Sequence, residues 1–475
     1  MLTRRLLLLL LLALGLPVRA GDDWDRGDRG EGGKKWVASW ATSPGAAFTY
    51  AAPPQPFVLQ PGQDIHYRAA NIQPDLAFPF PNATSPTGAS AVDQTFRSIV
   101  KPDLWGRTIR IRFSNVFGTK PVTFRSVTVG LQEYSANVVK DTLTAVTFGG
   151  HGSVTIPAGE RVWSDPVRLW FVHDADDRDV QGRNLAISYA VLGDSGPMTF
   201  HSGANQTSFI TPQGSGDQTW DEDAFAFEYT TTSWFFVETL DVKASKDTVV
   251  ICAFGDSITD GTHTTLNIND RWMNVLSRRL HNAYGNKVSI VNEAIGGNRV
   301  VNPVNPGASG PAAVDRLDRA VLGLSGLTDV IWLEGINDLG GLHPTDDIIA
   351  GYKDVVSRLH AAGVKVYGGT IVSALGVFGV PFPTGDNGPV AEAGRQVLND
   401  FIRHSGLFDG VVEFDVATLD PATGNMKEPY LPNSQFTQLP WDYLHPNHAG
   451  YNAMGLVVDI APFAPKKHGH GHHHD

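Results

Sequence analysis

Three residues in the second half of the chain have the types and spacing that acyl transfer requires. Ser257, in Gly255-Asp256-Ser257, is a candidate nucleophile, and His445 is a candidate general base. Asp442 precedes His445 by three residues, so its carboxylate can orient the imidazole and stabilise the imidazolium. These side chains predict a Ser257–His445–Asp442 triad that forms an acyl-enzyme.

Two further clusters offer hydrogen-bond donors for the oxyanion of such a reaction. A glycine lets its backbone N–H approach the oxyanion without side-chain obstruction, and Gly297, with Gly296 as its adjacent rival, is the candidate. The side-chain amide of Asn337 is a second donor, and the backbone N–H of Ser257 is a third. Because losing one such donor typically costs about 3 kcal/mol in the transition state, we predict an oxyanion hole formed by Ser257, Gly297 and Asn337.

Each cluster also has a purely structural interpretation. Asp256 could cap a helix, and Gly296-Gly297 could be a turn. Asn337-Asp338 could be a loop turn, and Asp442 or Asn447 could cap the last helix. The catalytic interpretation is favoured only by the joint occurrence of the clusters, in this order, on a chain that alternates strands and helices.

From about residue 246 the hydrophobic pattern alternates between buried strands and amphipathic helices. The predicted strands are 248–254, 287–291, 329–333, 364–370 and 410–414, and the predicted helices are 271–284, 312–322, 348–359, 391–404 and one from about 447. Such alternation implies a parallel sheet covered on both sides. Active sites in these sheets lie at the carboxyl ends of the strands. The first three clusters stand there, and the fourth lies on a loop before the last helix.

Residues 36–245 instead predict a β-rich region. Residues 108–113 alternate polar and apolar side chains, as a half-buried strand does. Shorter pieces repeat the pattern at 122–124, 127–129, 153–156 and 185–191, with turn residues between them and no convincing amphipathic helix. The prediction is a β-sandwich or jelly-roll-like domain.

The two ends of the chain predict export and disorder. Arg4-Arg5 precede an apolar stretch, and Val18-Arg19-Ala20 offers small residues at a cleavage site, so residues 1–20 are predicted to be a signal peptide of a secreted or periplasmic protein. An uncleaved anchor is the rival interpretation, although the stretch is short for a membrane span. Residues 21–35 predict a flexible leader, and 464–475 predict a disordered, His-rich tail.

Composition and residue spacing argue against several classes of partner. The net charge is −12 and no long basic run exists, so nucleic acid is not an expected partner. The single cysteine, Cys252, cannot form an intramolecular disulfide, and its apolar neighbours predict a small buried hydrophobe. No spacing of His, Cys and Asp indicates a structured metal site, so we expect neither metal nor cofactor. No later segment approaches a membrane span.

The four clusters resemble the signature blocks of the SGNH hydrolases, also called GDSL esterases and lipases. Gly255-Asp256-Ser257-Ile258 is similar to the nucleophile block, with isoleucine in place of leucine. Gly297 fits the oxyanion glycine, Asn337 fits the family asparagine, and Asp442-x-x-His445 fits the last block. The resemblance implies a flavodoxin-like αβα fold and metal-free ester hydrolysis.

This resemblance covers about residues 246–463, and the whole chain resembles a two-domain secreted subgroup that opens like Trp36–Pro44 here. The resulting hypothesis is a β-rich accessory domain, 36–245, followed by an SGNH catalytic domain, 246–463. The oligomeric state and the role of the β-rich domain stay open.

The motifs leave the acyl and alcohol groups unspecified. The substrate could be a short-chain acyl or acetyl ester, a lipid or an acylated carbohydrate. Seven of the eleven Trp residues lie between 36 and 245; some could stack sugar rings, although most are expected in the core. Two alternatives stay open: a carbohydrate-binding protein with an inactive SGNH domain, and an acyltransferase to sugar hydroxyls. The intact triad weighs against the first.

Some other motifs and histidines are given no catalytic role. Thr259 stands where an α/β-hydrolase elbow requires glycine. Residues 193–197 resemble the nucleophile loop of trypsin-like proteases and are interpreted as a turn. His263 and His343 lie near the motif loops and could touch substrate, but are interpreted as solvated loop residues. His201, in the β-rich region, has no evident partner.

Overall fold

The computed structural model of this protein describes residues 33–46, 90–174, 176–301, 310–373, 375, 388–432 and 442–466, without the side chains of 388 and 389. The predicted signal peptide, most of the predicted leader and most of the predicted tail lie outside these residues. The described residues from Lys35 onward group into one compact unit.

Strands build the described part of the N-terminal region, as predicted. They are β1 (Lys34–Ala41), β2 (Ser90–Val100), β3 (Thr108–Ser114), β4 (Val122–Leu131), β5 (Thr144–Ala145), β6 (Val154–Ile156), β7 (Arg161–Trp163), β8 (Val167–Arg168), β9 (Leu185–Pro197), β10 (Phe200–His201), β11 (Ser208–Ile210), β12 (Tyr229–Thr231), β13 (Trp234–Phe235) and β14 (Val237–Ser245).

Twelve of these strands form two facing sheets and β10 pairs with β13 in a separate two-stranded sheet, which confirms the β-rich prediction. One sheet has the order β1-β14-β3-β7 with β8 beside β3, and the other has the order β12-β11-β2-β9-β4-β5 with β6 beside β4. Aromatic rings fill the space between them: the Phe113 ring of the first sheet lies 5.3 Å from Phe124 and 5.6 Å from Tyr189 of the second. This burial of large rings contributes to the packing of the two sheets.

Two predictions in this region were wrong in detail. The pieces 122–124 and 127–129 belong to one strand, β4, whose pairing with β9 shifts register between Phe124 and Ser126. Such an irregularity interrupts the alternation of polar and apolar side chains, so the sequence pattern of one strand resembles that of two. Residues 193–197 are the end of β9 rather than a turn, and Ser195 is buried there, where its hydroxyl accepts a hydrogen bond from the Ala91 N–H at 3.0 Å.

The C-terminal region contains the predicted parallel sheet. Its strands are β15 (Val249–Gly255), β16 (Val288–Ala294), β17 (Asp329–Leu333), β18 (Lys365–Gly369) and β19 (Gly410–Val412), in the order β16-β15-β17-β18-β19. Its helices are α1 (Ser257–Asp260), α2 (Trp272–Tyr284), α3 (Ala313–Ala320), α4 (Ile336–Gly340), α5 (Thr345–Ala361), α6 (Gly388–His404), α7 (Phe414–Thr418) and α8 (His448–Val457). The strand order is the flavodoxin-like one.

Strand β15 is the centre of this sheet and explains where the site forms. Its residues from Val250 to Gly255 are buried, as a strand covered on both faces requires, and Cys252 is fully buried among them, as predicted. Because β15 pairs in parallel with both β16 and β17, the loops that follow these three strands emerge side by side. The predicted division at residues 245 and 246 falls between β14 and β15 and stays a prediction.

Among the described residues, no helix combines the length and the apolar character that crossing a bilayer would need.

Candidate active site

The nucleophile candidate stands at the sharp junction between β15 and α1. Ser257 is the first residue of α1, and Asp256 caps this helix by accepting the Ile258 N–H at 3.0 Å. At Gly255, an added Cβ would lie 2.2 Å from the Leu333 carbonyl oxygen on β17. Glycine is therefore required here, because the backbone must pass this close to β17 before it turns into the helix.

The structure brings Ser257, His445 and Asp442 together as predicted. The Ser257 hydroxyl lies 2.8 Å from Nε2 of His445, and Nδ1 of the same ring lies 2.8 Å from Oδ2 of Asp442. Ser257 is 7 % exposed, so the nucleophile is close to the surface but shielded from bulk water. This order of contacts is the one by which a histidine takes a proton from a serine while a carboxylate holds its tautomer.

Asp442 is held by four hydrogen bonds. Its Oδ1 accepts the backbone N–H groups of Leu444 and His445, each at 2.9 Å. Its Oδ2 accepts from His445 and also from Nε2 of His263, at 2.5 Å. Burial opposes its ionisation, but electrostatic attraction to His445 and the hydrogen bonds from His263 and His445 outweigh burial and hold the pKa of Asp442 well below its ordinary value. The carboxylate is therefore charged throughout the neutral range.

His263 is the site residue to which the sequence analysis gave no role, and its contact with Asp442 shows that it is not a solvated loop residue. It lies on the loop after α1 with φ +66°, a left-handed conformation that is costly for a non-glycine residue. Its side chain is 14 % exposed. The only signal in the sequence was its closeness to Ser257, because its partner Asp442 is 179 residues away.

The same side chains also form a possible metal site. One ligand atom from each of His263, Asp442 and His445 lies within 4.8 Å of the others. Two imidazoles and a carboxylate are a ligand set that zinc accepts. The triad geometry, however, is complete through hydrogen bonds alone.

The predicted oxyanion donors lie in the loops after β16 and β17. Gly297 has φ +75°, which suits glycine, and no partner for its N–H is found among the described residues. The rival Gly296 donates its N–H to Oδ2 of Asp260 at 3.1 Å, so that donor is already occupied. The Asn337 amide donates to the Asn298 carbonyl at 2.9 Å, one residue beyond Gly297. Gly297 and Asn337 therefore belong to one cluster.

Hydrogen bonds tie this cluster to the nucleophile loop. The Ile295 N–H donates to the Gly255 carbonyl at 3.1 Å. Asp338 accepts the N–H groups of Val300 at 2.9 Å and Val301 at 3.1 Å, and burial raises its pKa to about 7. These hydrogen bonds thus join the three loops after β15, β16 and β17 to one another.

Arg316, on α3, is a second supporting residue that no motif indicated. Its buried guanidinium donates to the Gly255 carbonyl at 3.0 Å, to the Glu293 carbonyl at 2.5 Å and to Oδ1 of Asn298 at 2.8 Å. The group also lies 4.2 Å from the centre of the Phe254 ring. One cation therefore anchors the ends of β15 and β16 together.

His201 differs from its sequence interpretation, whereas His343 lies in a loop as expected. His201 is buried and does have partners: Nε2 lies 3.1 Å from Oδ1 of Asp260, and Nδ1 lies 2.9 Å from the Ser43 carbonyl. The expectation of no partner was wrong because both contacts join distant parts of the chain. His343 is partly exposed, and its Nε2 lies 3.4 Å from Nη1 of Arg299.

A parallel αβα sheet that carries a serine, an imidazole and a carboxylate in hydrogen-bond sequence at its carboxyl edge is an arrangement that serine hydrolases use. Comparison with known proteins agrees: the sequence model of the GDSL-like lipase/acylhydrolase family matches residues 253–453. The chain therefore carries a domain of this family and is a hydrolase. The predicted fold and the predicted resemblance to the GDSL hydrolases are confirmed, whereas the two-domain secreted subgroup stays a prediction.

Solved structures with similar chains have low identity. A GDSL-like lipase from Bacteroides thetaiotaomicron is 17% identical, with a TM-score of 0.32, over 45% of this chain and 86% of its own. An acetyl xylan esterase from Geobacillus stearothermophilus is 16% identical, with a TM-score of 0.32, over 44% of this chain and 91% of its own. No curated protein matches the chain. The family match, not these structures, carries the assignment.

Proposed function

We propose that this protein is a serine esterase that hydrolyses carboxylic esters through a Ser257–His445–Asp442 triad. The observation that carries the proposal is the pair of 2.8 Å contacts from Ser257 to His445 and from His445 to Asp442. The match to an acylhydrolase family over residues 253–453 supports the same chemistry.

In the proposed mechanism, His445 takes the proton of Ser257 as the hydroxyl attacks the ester carbonyl. The oxyanion rests on the N–H groups of Ser257 and Gly297 and on the Asn337 amide. To bind the oxyanion, the Asn337 amide must give up its hydrogen bond to the Asn298 carbonyl or use its second hydrogen. His445 then protonates the departing alcohol, and a water that it activates hydrolyses the acyl-enzyme.

The substrate, location and domain organisation belong to the same proposal. We expect short-chain acyl or acetyl esters, carried by small molecules, lipids or carbohydrates. Of the Trp residues in the β-rich region, Trp40, Trp105 and Trp234 are buried, while Trp170 and Trp220 are more than half exposed. Few rings are therefore free to stack sugars. Secretion after removal of residues 1–20, and the division into 36–245 and 246–463, remain proposals.

The test is hydrolysis of p-nitrophenyl acetate, butyrate and octanoate by the wild type and Ser257→Ala. We expect the variant to lose roughly 10⁴-fold or more in kcat with its circular dichroism spectrum unchanged. Ser195→Ala is the matched control, because Gly193-Asp194-Ser195 is a second Gly-Asp-Ser sequence and its serine lies outside the site. Equal activity in Ser257→Ala and the wild type would eliminate Ser257 as the nucleophile.

A further inference from the structure

We propose that the β-rich region is part of the catalytic apparatus, because its residue His201 acts through Asp260 to position the oxyanion loop. This inference rests on the proposed esterase function and on Gly297 as an oxyanion donor. It gives the β-rich region a role other than substrate recognition.

Asp260 is the link between the nucleophile helix and the oxyanion loop. It is the last residue of α1, the helix that Ser257 begins, and its carboxylate is buried. Oδ2 accepts the Gly296 N–H at 3.1 Å, immediately before Gly297, and Oδ1 contacts Nε2 of His201 at 3.1 Å. The orientation of the carboxylate therefore decides where the Gly296-Gly297 backbone lies.

His201 holds that carboxylate from the β-rich side. Both ring nitrogens face acceptors, since Nδ1 contacts the Ser43 carbonyl at 2.9 Å and Nε2 contacts Asp260. The ring also stacks on Trp234, with centroids 5.7 Å apart and an interplanar angle of 26°. Two acceptors require two N–H donors, so the ring is an imidazolium that forms a buried ion pair with Asp260. Burial lowers the pKa of His201, but Asp260 and the Ser43 carbonyl outweigh burial and raise it.

Gly203 and Arg271 strengthen the same contact between the β-rich region and Asp260. An added Cβ on Gly203 would lie 2.4 Å from Oδ2 of Asp260, so the β-rich chain packs directly on the carboxylate. Arg271 donates to the Asp260 carbonyl at 2.5 Å and to the Ala204 carbonyl at 2.7 Å.

Ser43, on the segment after β1, makes a second contact between the β-rich region and the residues that hold the oxyanion loop. Its hydroxyl donates to Oε2 of Glu293 at 2.5 Å and accepts from Arg316 at 2.9 Å. Arg316 is the residue that also binds the Gly255 carbonyl and Asn298. The β-rich region thus reaches the loops of both Ser257 and Gly297 through buried polar contacts, which are unlike the loose contacts of an independent module.

The test is the steady-state kinetics of His201→Phe in the full chain. The variant keeps an aromatic ring but loses both hydrogen bonds, so we expect kcat to fall 10- to 100-fold with KM little changed, as for a displaced oxyanion donor. His201→Gln retains a donor and should recover part of kcat. Tyr189→Phe is the control, because it removes a buried hydrogen bond to the Phe235 carbonyl at 2.6 Å in the β-rich region and leaves the side chain of His201 unchanged.

Asp260→Ala then separates positioning from general destabilisation. If His201 acts through Asp260, the double variant His201→Phe/Asp260→Ala should have the same kcat as Asp260→Ala alone. The inference would be overturned if the loss of kcat in the double variant were the product of the losses in the two single variants, or if kcat of His201→Phe equalled that of Tyr189→Phe. The proposed esterase function, which Ser257→Ala tests, would still stand. Full activity in Ser257→Ala would overturn both.

Discussion

At the scale of single residues, Asp442 is shared by two imidazoles. His445 uses it for the proposed proton transfer, and His263 binds the same oxygen, Oδ2. The rings of the two histidines lie 5.6 Å apart, nearly perpendicular at 75°. His263 accepts an unfavourable backbone conformation to make this contact, so we infer that it restrains the carboxylate.

We therefore expect His263→Ala to lower kcat roughly 10- to 100-fold, since one hydrogen bond to a charged group contributes about 1.5–3 kcal/mol. Steady-state kinetics at neutral pH would check this effect. His343→Ala is the control, and a wild-type kcat in His263→Ala would assign His263 a merely structural role.

The same three side chains predict inhibition by zinc. Zn²⁺ held by His263, Asp442 and His445 would take His445 out of proton transfer. We expect added Zn²⁺ to inhibit ester hydrolysis reversibly, a chelator to restore it, and the affinity to fall at least about tenfold in His263→Ala. Inhibition of equal strength in that variant would place the ion elsewhere.

At the scale of elements, the site depends on the close approach of β15 and β17. Gly255→Ala would place a Cβ 2.2 Å from the Leu333 carbonyl, so the strands must separate or Ser257 must shift. Such overpacking costs about 1–3 kcal/mol, and we expect a lower thermal midpoint together with a large loss of kcat. Gly152→Ala is the control, because nothing lies within 4 Å of its added Cβ; a wild-type midpoint for Gly255→Ala would show that the approach is not tight.

At the scale of the whole molecule, the ion pair of His201 and Asp260 joins the sandwich to the parallel sheet. Arg271 is the other charged group that acts on His201, and it lowers the pKa. Because the folded pKa of His201 is nevertheless raised above 6.5, the stability from this pair is complete below pH about 6.5 and is lost as pH rises through the folded value.

The thermal unfolding midpoint of the wild type should therefore fall as the pH rises above 6.5. His201→Phe should be less stable at pH 6 and should show a smaller change over this range. Parallel pH curves for the two proteins would exclude the buried imidazolium.

Part of the secondary structure could not be read from the chain. Helices α4 and α7 have five residues each, which is too short for helical periodicity to show. In contrast, the strand 329–333 was predicted with its observed bounds, and helix α2 begins one residue later than predicted. Long apolar runs and stripes report burial directly, whereas short helices at loop ends are set by tertiary contacts.

The amino-acid sequence by itself determined the triad candidates and the alternating architecture, because both depend on residue type and local spacing. Asp442 reaches His445 within one turn, and buried strands must be apolar. Only the tertiary structure decided that Gly296 is occupied by Asp260, that His263 shares Asp442, and that His201 and Ser43 support the site. These contacts join residues 36, 179, 59 and up to 273 positions apart, and no local pattern encodes such a separation.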